Sequence, residues 1–425
     1  MTIRTVQPQS TLRGTIRVPG DKSASHRAYI LSALADGESS IVGLSPGHDV
    51  QGTGAIMTQL GATVRHEGQT TFVTGPSKGL VANDSPLDCG NSGTTIRLLC
   101  GVASAITGHH TLIGDPSLSR RPMDRVAVPL RQMGATIAGV GERELPPVTI
   151  RGSALHAISY DLTVPSAQVK SAILLAGLFA DGETTVGESV RTRTTTEDML
   201  RAAGVTVEST DEGAGRVVRL APGRPQPRAW VVPTDPSQAA FFCVLGLLAR
   251  DADIVIEDIE ASAERIGFAH VLRRMGASLE GDIVDGMVTL RATSSSLTAT
   301  TIDAAEIPSV DEAPILTIAA AAASGTTTFR DMGELRLKES DRFEGCLALA
   351  RAVGATAWSE GDDFFVTGLG SASAFSPFDI AAGLDHRIVM SSAVAGAAGQ
   401  GCSIEGVETV ASSYPHFFED LESLV

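Results

Sequence analysis

The 425-residue sequence has few of the features that mark membrane, secreted or nucleic-acid-binding proteins. Its five cysteines include no C-x-x-C pair, which argues against a disulfide framework and against a structural zinc site. Three Tyr, two Trp and a formal net charge of −16 are a poor basis for binding nucleic acid, which needs basic stripes and stacking aromatic rings. The longest apolar runs are shorter than the roughly 18 to 20 residues that cross a bilayer. We therefore expect neither a nucleic-acid nor a membrane partner.

Signals for metals, nucleotides and export are also missing. The nine His residues show no H-x-x-x-H or H-E-x-x-H spacing, so we expect no catalytic metal and no cofactor. Gly20-Asp21-Lys22-Ser23 resembles the end of a phosphate-binding loop, but Asp21 separates the glycine from the lysine, which disfavours an ATPase. The first residues lack a basic-then-apolar signal region, and the expected location is therefore the cytoplasm.

What the sequence does contain is an internal repeat of about 70 residues. A helix-ending signature of the type L-x-x-x-G, followed by A or V and a β-prone run, closes at Gly61, Gly134, Gly204, Gly276 and Gly354, with Met57 and Ala350 in the place of leucine in the first and last copies. A small-residue apolar helix that ends near a glycine or a polar turn and leads into a Thr- or Val-rich strand recurs in step with it, in six copies. The pattern predicts an α/β protein of six repeats, each a strand, helix, strand, helix and one or two strands. Hydrogen-bond acceptors mark the predicted starts of these helices, at Ser23, Ser92, Ser166, Ser237, Asp311 and Asp385.

The order of elements predicts how the chain is divided. The sequence begins with a strand and ends on a helix, so residues 1–19 are expected to complete the last repeat. Domain I would then comprise residues 1–19 and 235–425, and domain II would be residues 20–234. Periodicity favours three repeats per domain but leaves open a single ring of six.

Cations concentrate in the turns that lead into the repeated helices of this acidic chain. These turns and the loops beside them contain Lys22, Arg27, Arg97, Arg120, Arg121, Arg125, Lys170, Arg191, Arg193, Arg336, Lys338, Arg342 and Arg387. Helix N-termini supply unpaired N–H groups, and guanidinium groups bind carboxylate or phosphate bidentately, so together they predict an anion site. For any single position, an ordinary cap or a solvated charge is the alternative. The carboxylates within or beside this set are candidates for acid–base chemistry: Asp311, Glu312, Glu339 and Asp341.

Seven segments together resemble the 5-enolpyruvylshikimate-3-phosphate synthases, the enolpyruvyl transferases of the shikimate pathway. The segments follow the family's order and span nearly the whole chain: PGDKSASHRA, GNSGTTIRLL, SRRPM, VPSAQVKSAILLAGL, IPSVDEAPILTIAAA, LRLKESDR and LDHRIVMS. The fourth resembles the second bacterial class of the family more than the first. The resemblance implies an inside-out α/β barrel of two domains, each of three βαβαββ units, with the active site in the cleft between them.

The resemblance also implies a reaction and a set of residues. The enolpyruvyl group of phosphoenolpyruvate would pass to the 5-hydroxyl of shikimate 3-phosphate through a tetrahedral intermediate, with release of phosphate and no cofactor. Shikimate 3-phosphate would contact Lys22, Ser23, Arg27, Ser166, Ala167, Gln168, Arg193, Asp311 and Lys338. Phosphoenolpyruvate would contact Lys22, Gly93, Arg121, Gln168, Arg342 and Arg387. The catalytic residues would be Lys22, Asp311 and Glu339, while His386 is either part of the site or a structural ring at a helix start.

Further expectations follow from single positions at which the sequence departs from the family's pattern or matches it. Ser412 and Glu334 replace a lysine and an asparagine found in some relatives, and both are left out of the predicted site. Gly93 keeps the small residue where glyphosate-insensitive relatives have alanine, so glyphosate is an expected inhibitor. We expect a monomer. Two alternatives remain: a UDP-N-acetylglucosamine enolpyruvyl transferase, although the loop GDPSLSRRPM lacks its cysteine, and a non-catalytic repeat protein that binds phosphorylated ligands.

Overall fold

A computed structural model describes residues 2–424 of the chain. The helices within this range are α1 (Lys22–Leu34), α2 (His48–Gln59), α3 (Gly93–Ala105), α4 (Asp124–Gln132), α5 (Ala167–Gly177), α6 (Thr195–Ala202), α7 (Pro236–Leu248), α8 (Gly267–Arg274), α9 (Ala313–Ala322), α10 (Arg342–Ala352), α11 (His386–Ala398) and α12 (Phe417–Ser423). None of these described helices is long and apolar enough to cross a membrane.

The strands alternate with the helices along the chain. They are β1 (Ile3–Val6), β2 (Thr11–Ile16), β3 (Gly37–Val42), β4 (Thr63–Glu67), β5 (Thr70–Gly75), β6 (Leu87–Asp88), β7 (Gly108–Ile113), β8 (Thr136–Val140), β9 (Leu145–Gly152), β10 (Ser159–Asp161), β11 (Thr184–Glu188), β12 (Val207–Glu212), β13 (Gly215–Leu220), β14 (Ala229–Val231), β15 (Asp251–Glu260), β16 (Ser278–Glu280), β17 (Ile283–Val284), β18 (Met287–Thr293), β19 (Thr301–Asp303), β20 (Thr326–Arg330), β21 (Thr356–Glu360), β22 (Asp363–Thr367), β23 (Phe378–Ala381) and β24 (Cys402–Glu405). The α/β class expected from the sequence is confirmed.

The chain forms two compact units. Unit I comprises Met1–Asp21 and Pro233–Val425, and unit II is Lys22–Val232. Three sheets lie in unit II, with strand orders β14-β3-β5-β4, β6-β7-β9-β8 and β10-β11-β13-β12. Three more lie in unit I, with orders β2-β15-β18-β16 (β17 pairing with β18), β19-β20-β22-β21 and β23-β24-β1. The strands in the described range thus form six separate sheets, one for each predicted repeat.

All six sheets share one pairing scheme. Each sheet has one parallel pair at its edge, and in four of them, as with β6 and β7, the two parallel strands are consecutive and joined through a helix, because parallel neighbours need a long crossover. The later strand of each repeat pairs antiparallel with the second, as β9 pairs with β7. Where four strands are present, a hairpin such as β8–β9 completes the sheet. The period of about 70 residues is therefore the length of one such sheet with its two helices.

The core of each unit is built on the first helix of each repeat. The residues of α5 from Val169 to Gly177 are all buried, and α7 is buried from Pro236 to Leu247, as expected for helices that are apolar on every side. Small residues allow close packing, since a Cβ at Gly101 of α3 would lie 2.2 Å from the carbonyl oxygen of Ala172 in α5. The helices that begin with the predicted functional motifs are thus held rigidly.

The pairing of the strands near the two points where the chain passes between the units differs in part from the expectation that residues 1–19 complete the last repeat. β1 pairs with β24 and completes the last sheet, as expected, but β2 pairs in parallel with β15 and belongs to the next one. In the same way, β14 near the end of unit II pairs with β3, at the start of that unit. Thus β2, which precedes α1 of unit II in the sequence, belongs to a sheet of unit I, and β14, which precedes α7 of unit I, belongs to a sheet of unit II. Periodicity alone does not reveal these pairings.

Both crossing segments are fixed to each other within unit I. The backbone N–H of Asp21 donates to the carbonyl oxygen of Pro233 at 2.7 Å, and that of Asp235 donates to Pro19 at 2.9 Å. The buried guanidinium of Arg265 pairs with the carboxylates of Asp21 and Asp235. The segment that leads into Lys22 therefore has a defined path.

Candidate active site

The predicted residues of unit II gather around the first turns of α1, α3 and α5. We call Lys22, Arg27, Arg97, Arg121 and Arg193 the basic set. Arg27 lies one turn into α1 and is 4% exposed. Its guanidinium donates to Thr196 Oγ1 at 2.6 Å, to Ser171 Oγ at 2.7 Å and to the carbonyl oxygen of Ser23 at 2.9 Å. The guanidinium of Arg193 donates to Ser23 Oγ at 3.1 Å, so both arginines converge on the start of α1.

A second part of the basic set surrounds the start of α3. Arg121 donates to Asn91 Oδ1 at 2.8 Å and to Ser117 Oγ at 3.2 Å. A Cβ placed on Gly93, the first residue of α3, would lie 2.9 Å from Nη1 of Arg121 and 3.1 Å from Nη1 of Arg97. Two guanidinium groups therefore lie directly over this helix end, in space that only glycine leaves open.

Gln168 connects the starts of α3 and α5. Its Oε1 accepts a hydrogen bond from Arg97 at 2.6 Å, and its Nε2 donates to Thr94 Oγ1 at 2.9 Å. Ser166 caps α5 by accepting from the backbone N–H of Val169. The half-buried Ser166, Ala167 and Gln168 lie in one turn, as the motif predicted.

Lys22 has an acidic partner that the sequence analysis missed. Its ammonium group pairs with the carboxylate of Asp49, which lies in the first turn of α2 and is 8% exposed. Below it, His26 is fully buried, with Nδ1 2.8 Å from Thr53 Oγ1. Burial lowers the pKa of the His26 imidazole well below its usual value, and the charges of Lys22 and Arg27 lower it further. The buried imidazole therefore responds to the positive potential of the basic set.

Unit I holds a second set, which we call the acid–base set: Asp311, Lys338, Glu339, Arg342 and Arg387. Arg342 lies at its centre and donates to Asp311 Oδ1 at 3.0 Å and to the carboxylate of Glu339. Arg387 lies 3.5 Å from Asp311 Oδ2, and Lys338 Nζ lies 3.7 Å from Asp311 Oδ1. Asp311 and Glu339 keep 20% and 17% of their side-chain surface exposed, so two accessible carboxylates lie among three cations.

Asp385 fixes the position of Arg342 in the acid–base set. It is fully buried, caps α11 and accepts from Arg342 Nε at 2.8 Å and from Ser340 Oγ at 2.8 Å. Burial alone would lower the pKa of Arg342, but Asp385, Glu339 and Asp311 outweigh it and raise that pKa above its usual value. The neighbouring His386 begins α11 and is 3% exposed, which fits the structural alternative for this ring.

The chain resembles known proteins over nearly its whole length. A sequence profile described as EPSP synthase (3-phosphoshikimate 1-carboxyvinyltransferase) matches residues 6–421. The chain belongs to the EPSP synthase family. Curated relatives named 3-phosphoshikimate 1-carboxyvinyltransferase include one from Streptococcus uberis, 40% identical over 423 residues, and one from Thermus thermophilus, 42% identical over 424. Each alignment covers 97% of both proteins.

Solved structures agree with the family assignment. An EPSP synthase from Acinetobacter baumannii superposes with a TM-score of 0.84 at 38% identity, over 99% of this chain and 98% of that one. An enolpyruvyl transferase from Streptomyces tendae superposes with a TM-score of 0.76 over 99% and 97% of the two chains. At 19% identity, the second likeness shows the fold alone. The enolpyruvyl transferase fold expected from the sequence is confirmed.

Within this member of the EPSP synthase family, three of the six predicted helix caps are correct. Ser92, Ser166 and Asp385 each accept from a backbone N–H of the first turn. The other three are wrong because the helices begin elsewhere. Ser23 follows the first residue of α1 and instead accepts from Arg193, Asp235 rather than Ser237 caps α7, and the carboxylate of Asp311 faces Arg342 and Arg387.

Three cations grouped with the anion site from their sequence position lie outside it in this family member. Lys170 is fully buried between Glu188 and Glu197. Arg191 pairs with Asp211, and Arg336 pairs with Asp341 while lying over the ring of Phe343. Their loops are those predicted, but each side chain has an acidic partner nearby. Sequence position alone does not distinguish such a partner from a substrate.

Proposed function

We propose that this protein transfers the enolpyruvyl group of phosphoenolpyruvate to the 5-hydroxyl of shikimate 3-phosphate, with release of phosphate. The observation that carries the proposal is the acid–base set. Two partly exposed carboxylates, Asp311 and Glu339, are held among Lys338, Arg342 and Arg387 in a chain of the EPSP synthase family. A protein that only bound anions would gain nothing from placing carboxylates there.

The basic set supports binding of the two anionic substrates, because each carries a carboxylate and a phosphate. We assign to shikimate 3-phosphate the residues Lys22, Ser23, Arg27, Ser166, Ala167, Gln168, Arg193, Asp311 and Lys338. Those assigned to phosphoenolpyruvate are Lys22, Gly93, Arg121, Gln168, Arg342 and Arg387. The assignment draws on residues of both units and therefore proposes that the two sets serve one active site. Charge-assisted hydrogen bonds from such groups are about twice as strong as neutral ones.

The chemistry needs one proton donor and one proton acceptor at the same carbon. The oxygen of the 5-hydroxyl adds to C2 of phosphoenolpyruvate while the methylene carbon gains a proton, which gives a tetrahedral intermediate. Loss of phosphate and of a proton from the new methyl group restores the double bond. Asp311 and Glu339 are the candidates for these transfers, and Asp311 is also the candidate acceptor for the hydroxyl proton. Lys22 is assigned a place between the two ligands.

Glyphosate is proposed as a competitor of phosphoenolpyruvate at the start of α3. The guanidinium groups of Arg97 and Arg121, which lie over Gly93 and could bind an anion, support this assignment. The monomeric state and the cytoplasmic location expected from the sequence remain part of the same proposal.

The reaction is tested by measuring inorganic phosphate released by the purified protein from the two substrates, with no metal or nucleotide added. Release should require both substrates and should fall as glyphosate is added. UDP-N-acetylglucosamine in place of shikimate 3-phosphate serves as the matched control for the rival transferase. Phosphate release with that acceptor alone, or none with either, would overturn the proposal.

A further inference from the structure

Residues 189–196, which are the loop between β11 and α6 together with the first two residues of α6, carry two groups that contact the start of α1. Arg193 donates to Ser23 Oγ at 3.1 Å, and Thr196 Oγ1 accepts from Arg27 at 2.6 Å. Both arginines belong to the proposed shikimate 3-phosphate site. The position of this loop therefore sets the positions of two substrate-binding guanidinium groups.

Both ends of the loop are attached to one buried lysine. Lys170 Nζ lies 2.8 Å from Glu188 Oε2, on the last residue of β11, and 2.6 Å from Glu197 Oε1, in the first turn of α6. The side chains of all three residues are 0% exposed. Lys170 itself lies on α5, one turn after Ser166. This triad thus connects the loop to the helix whose first turn carries three other predicted site residues.

The second oxygen of Glu188 holds the middle of the loop. Oε1 accepts from the backbone N–H of Thr192 at 3.2 Å and from the hydroxyl group of the same residue. Because Thr192 immediately precedes Arg193, one short path of contacts runs from Lys170 through Glu188 and Thr192 to the arginine. The path ends at Ser23 on α1.

Three charges in the interior are costly to desolvate, and apolar residues of similar size often give equal or greater stability. Packing alone therefore does not account for them. We propose that the Lys170–Glu188–Glu197 triad is a positioning group, which holds residues 189–196 so that Arg193 and Arg27 face shikimate 3-phosphate. This inference rests on the proposed function. It assigns Lys170 no contact with substrate, in contrast to its grouping with the anion-binding cations by sequence position.

The test uses Glu188→Gln, because removing Lys170 would leave two carboxylates in a dry interior and endanger folding. Glutamine keeps the shape, but Lys170 contacts Oε2 and Thr192 contacts Oε1, so an amide, whose NH₂ group cannot accept, can satisfy only one of the two contacts. We expect the KM for shikimate 3-phosphate to rise roughly three- to tenfold, while kcat and the KM for phosphoenolpyruvate stay within about twofold. The same change made in an Arg193→Ala background should raise that KM by less than about twofold, because the contacts of Glu188 with Thr192 position Arg193, whose guanidinium group is then absent.

Ile150→Val in the buried part of β9 is the control for lost stability without loop displacement. It should lower the melting temperature and leave the KM for shikimate 3-phosphate unchanged. An unchanged KM in Glu188→Gln, or equal effects in the two backgrounds, would overturn the positioning role.

Titration calorimetry with shikimate 3-phosphate separates this inference from the proposed reaction. Wild-type protein that binds the ligand without releasing phosphate, and binds it more weakly after Glu188→Gln, would overturn the reaction but support the positioning role. Full activity of the wild-type protein, with the same KM for shikimate 3-phosphate in Glu188→Gln, would support the reaction but overturn the positioning role. Absence of binding would overturn both.

Discussion

The basic set of unit II and the acid–base set of unit I are both rich in arginine, but the partners of those arginines differ. Arg27 is held by two hydroxyl groups and a carbonyl oxygen, and Arg121 by an amide and a hydroxyl. Arg342, in contrast, is surrounded by three carboxylates, those of Asp311, Glu339 and Asp385. The hydrogen bonds from neutral oxygens fix the orientation of Arg27 and Arg121, whereas the three carboxylates around Arg342 both orient that guanidinium group and offset its charge.

This difference separates two tasks. Positively charged side chains attract phosphate and carboxylate groups of a ligand, and in unit II the charges of Lys22 and Arg27 add to burial, the larger cause, in lowering the pKa of His26. In unit I, Arg342 orients Asp311 and Glu339, the two carboxylates proposed for proton transfer. The pair of Lys22 with Asp49 in unit II resembles the unit I arrangement. The comparison predicts that charge removal will affect chemistry in unit I and mainly substrate binding in unit II.

The largest effect is expected from removing the two exposed carboxylates of unit I. Asp311→Ala and Glu339→Ala should each lower kcat by about two to four orders of magnitude, because each removes a group proposed for proton transfer. Steady-state phosphate release measures the change. The matched control is Asp341→Asn, which removes a carboxylate beside Arg336 but keeps a good cap for α10. Near-normal turnover in both alanine variants would refute the assignment.

The next effect concerns stability. Arg342→Met should lower the free energy of unfolding by about 3 to 5 kcal/mol, because it leaves the fully buried Asp385 without its guanidinium partner. Arg27→Met should lower it by only about 1 to 2 kcal/mol, since its partners Ser171 and Thr196 already lie 2.6 Å apart and can bond to each other. Urea denaturation checks both values. Equal losses would show that the partners of the two arginines do not matter.

A smaller effect is expected at the start of α3. Gly93→Ala should displace the guanidinium groups of Arg97 and Arg121 and raise the KM for phosphoenolpyruvate about tenfold. The overpacking should also lower the free energy of unfolding by about 1 to 3 kcal/mol. Inhibition by glyphosate should weaken in parallel. The control is Gly52→Ala in α2, where nothing lies within 4 Å of the new Cβ and alanine favours the helix. An unchanged KM at position 93 would argue against this location for the substrate.

The smallest effect is a pH dependence that originates in unit II. The folded-state pKa of His26 lies below the ordinary value of 6.5, so the unfolded chain takes up a proton that the folded chain does not. The stabilisation is therefore complete above about pH 6.5 and is lost as the pH falls toward the folded pKa, by up to about 1.4 kcal/mol per pH unit. His26→Asn should flatten this slope in urea unfolding measured between pH 7 and 5. Identical slopes would contradict the prediction.

Much of the fold was predictable because it is written in local patterns. The glycines at positions 61, 134, 204, 276 and 354 all have positive φ after a helix, as a left-handed cap requires. The motifs around Lys22, Gly93, Gln168, Asp311 and Arg387 lie at or near helix starts, as expected. The pairing of β2 with β15 and of β14 with β3 was not predictable, because each joins strands about 190 to 240 positions apart in the sequence.

The site was predictable in its loops but not in its partners. Asp49 was missed although it follows Lys22 by only 27 positions, since no local signal distinguishes it from other helix-starting acids. Lys170 was misplaced for the opposite reason. Lys170 lies in a motif beside predicted site residues, but its ammonium group pairs with two glutamates that follow it by 18 and 27 residues.

The sequence by itself determined the six repeats, the approximate positions of their first helices and the family, since each depends on residues a few positions apart that share one turn or one motif. The tertiary structure decided the partners of individual cations, such as Asp49 for Lys22 and two glutamates for Lys170. That outcome depends on whether a neutral oxygen or a carboxylate from a distant segment arrives within about 3 Å, and electrostatic energy changes steeply with distance and burial.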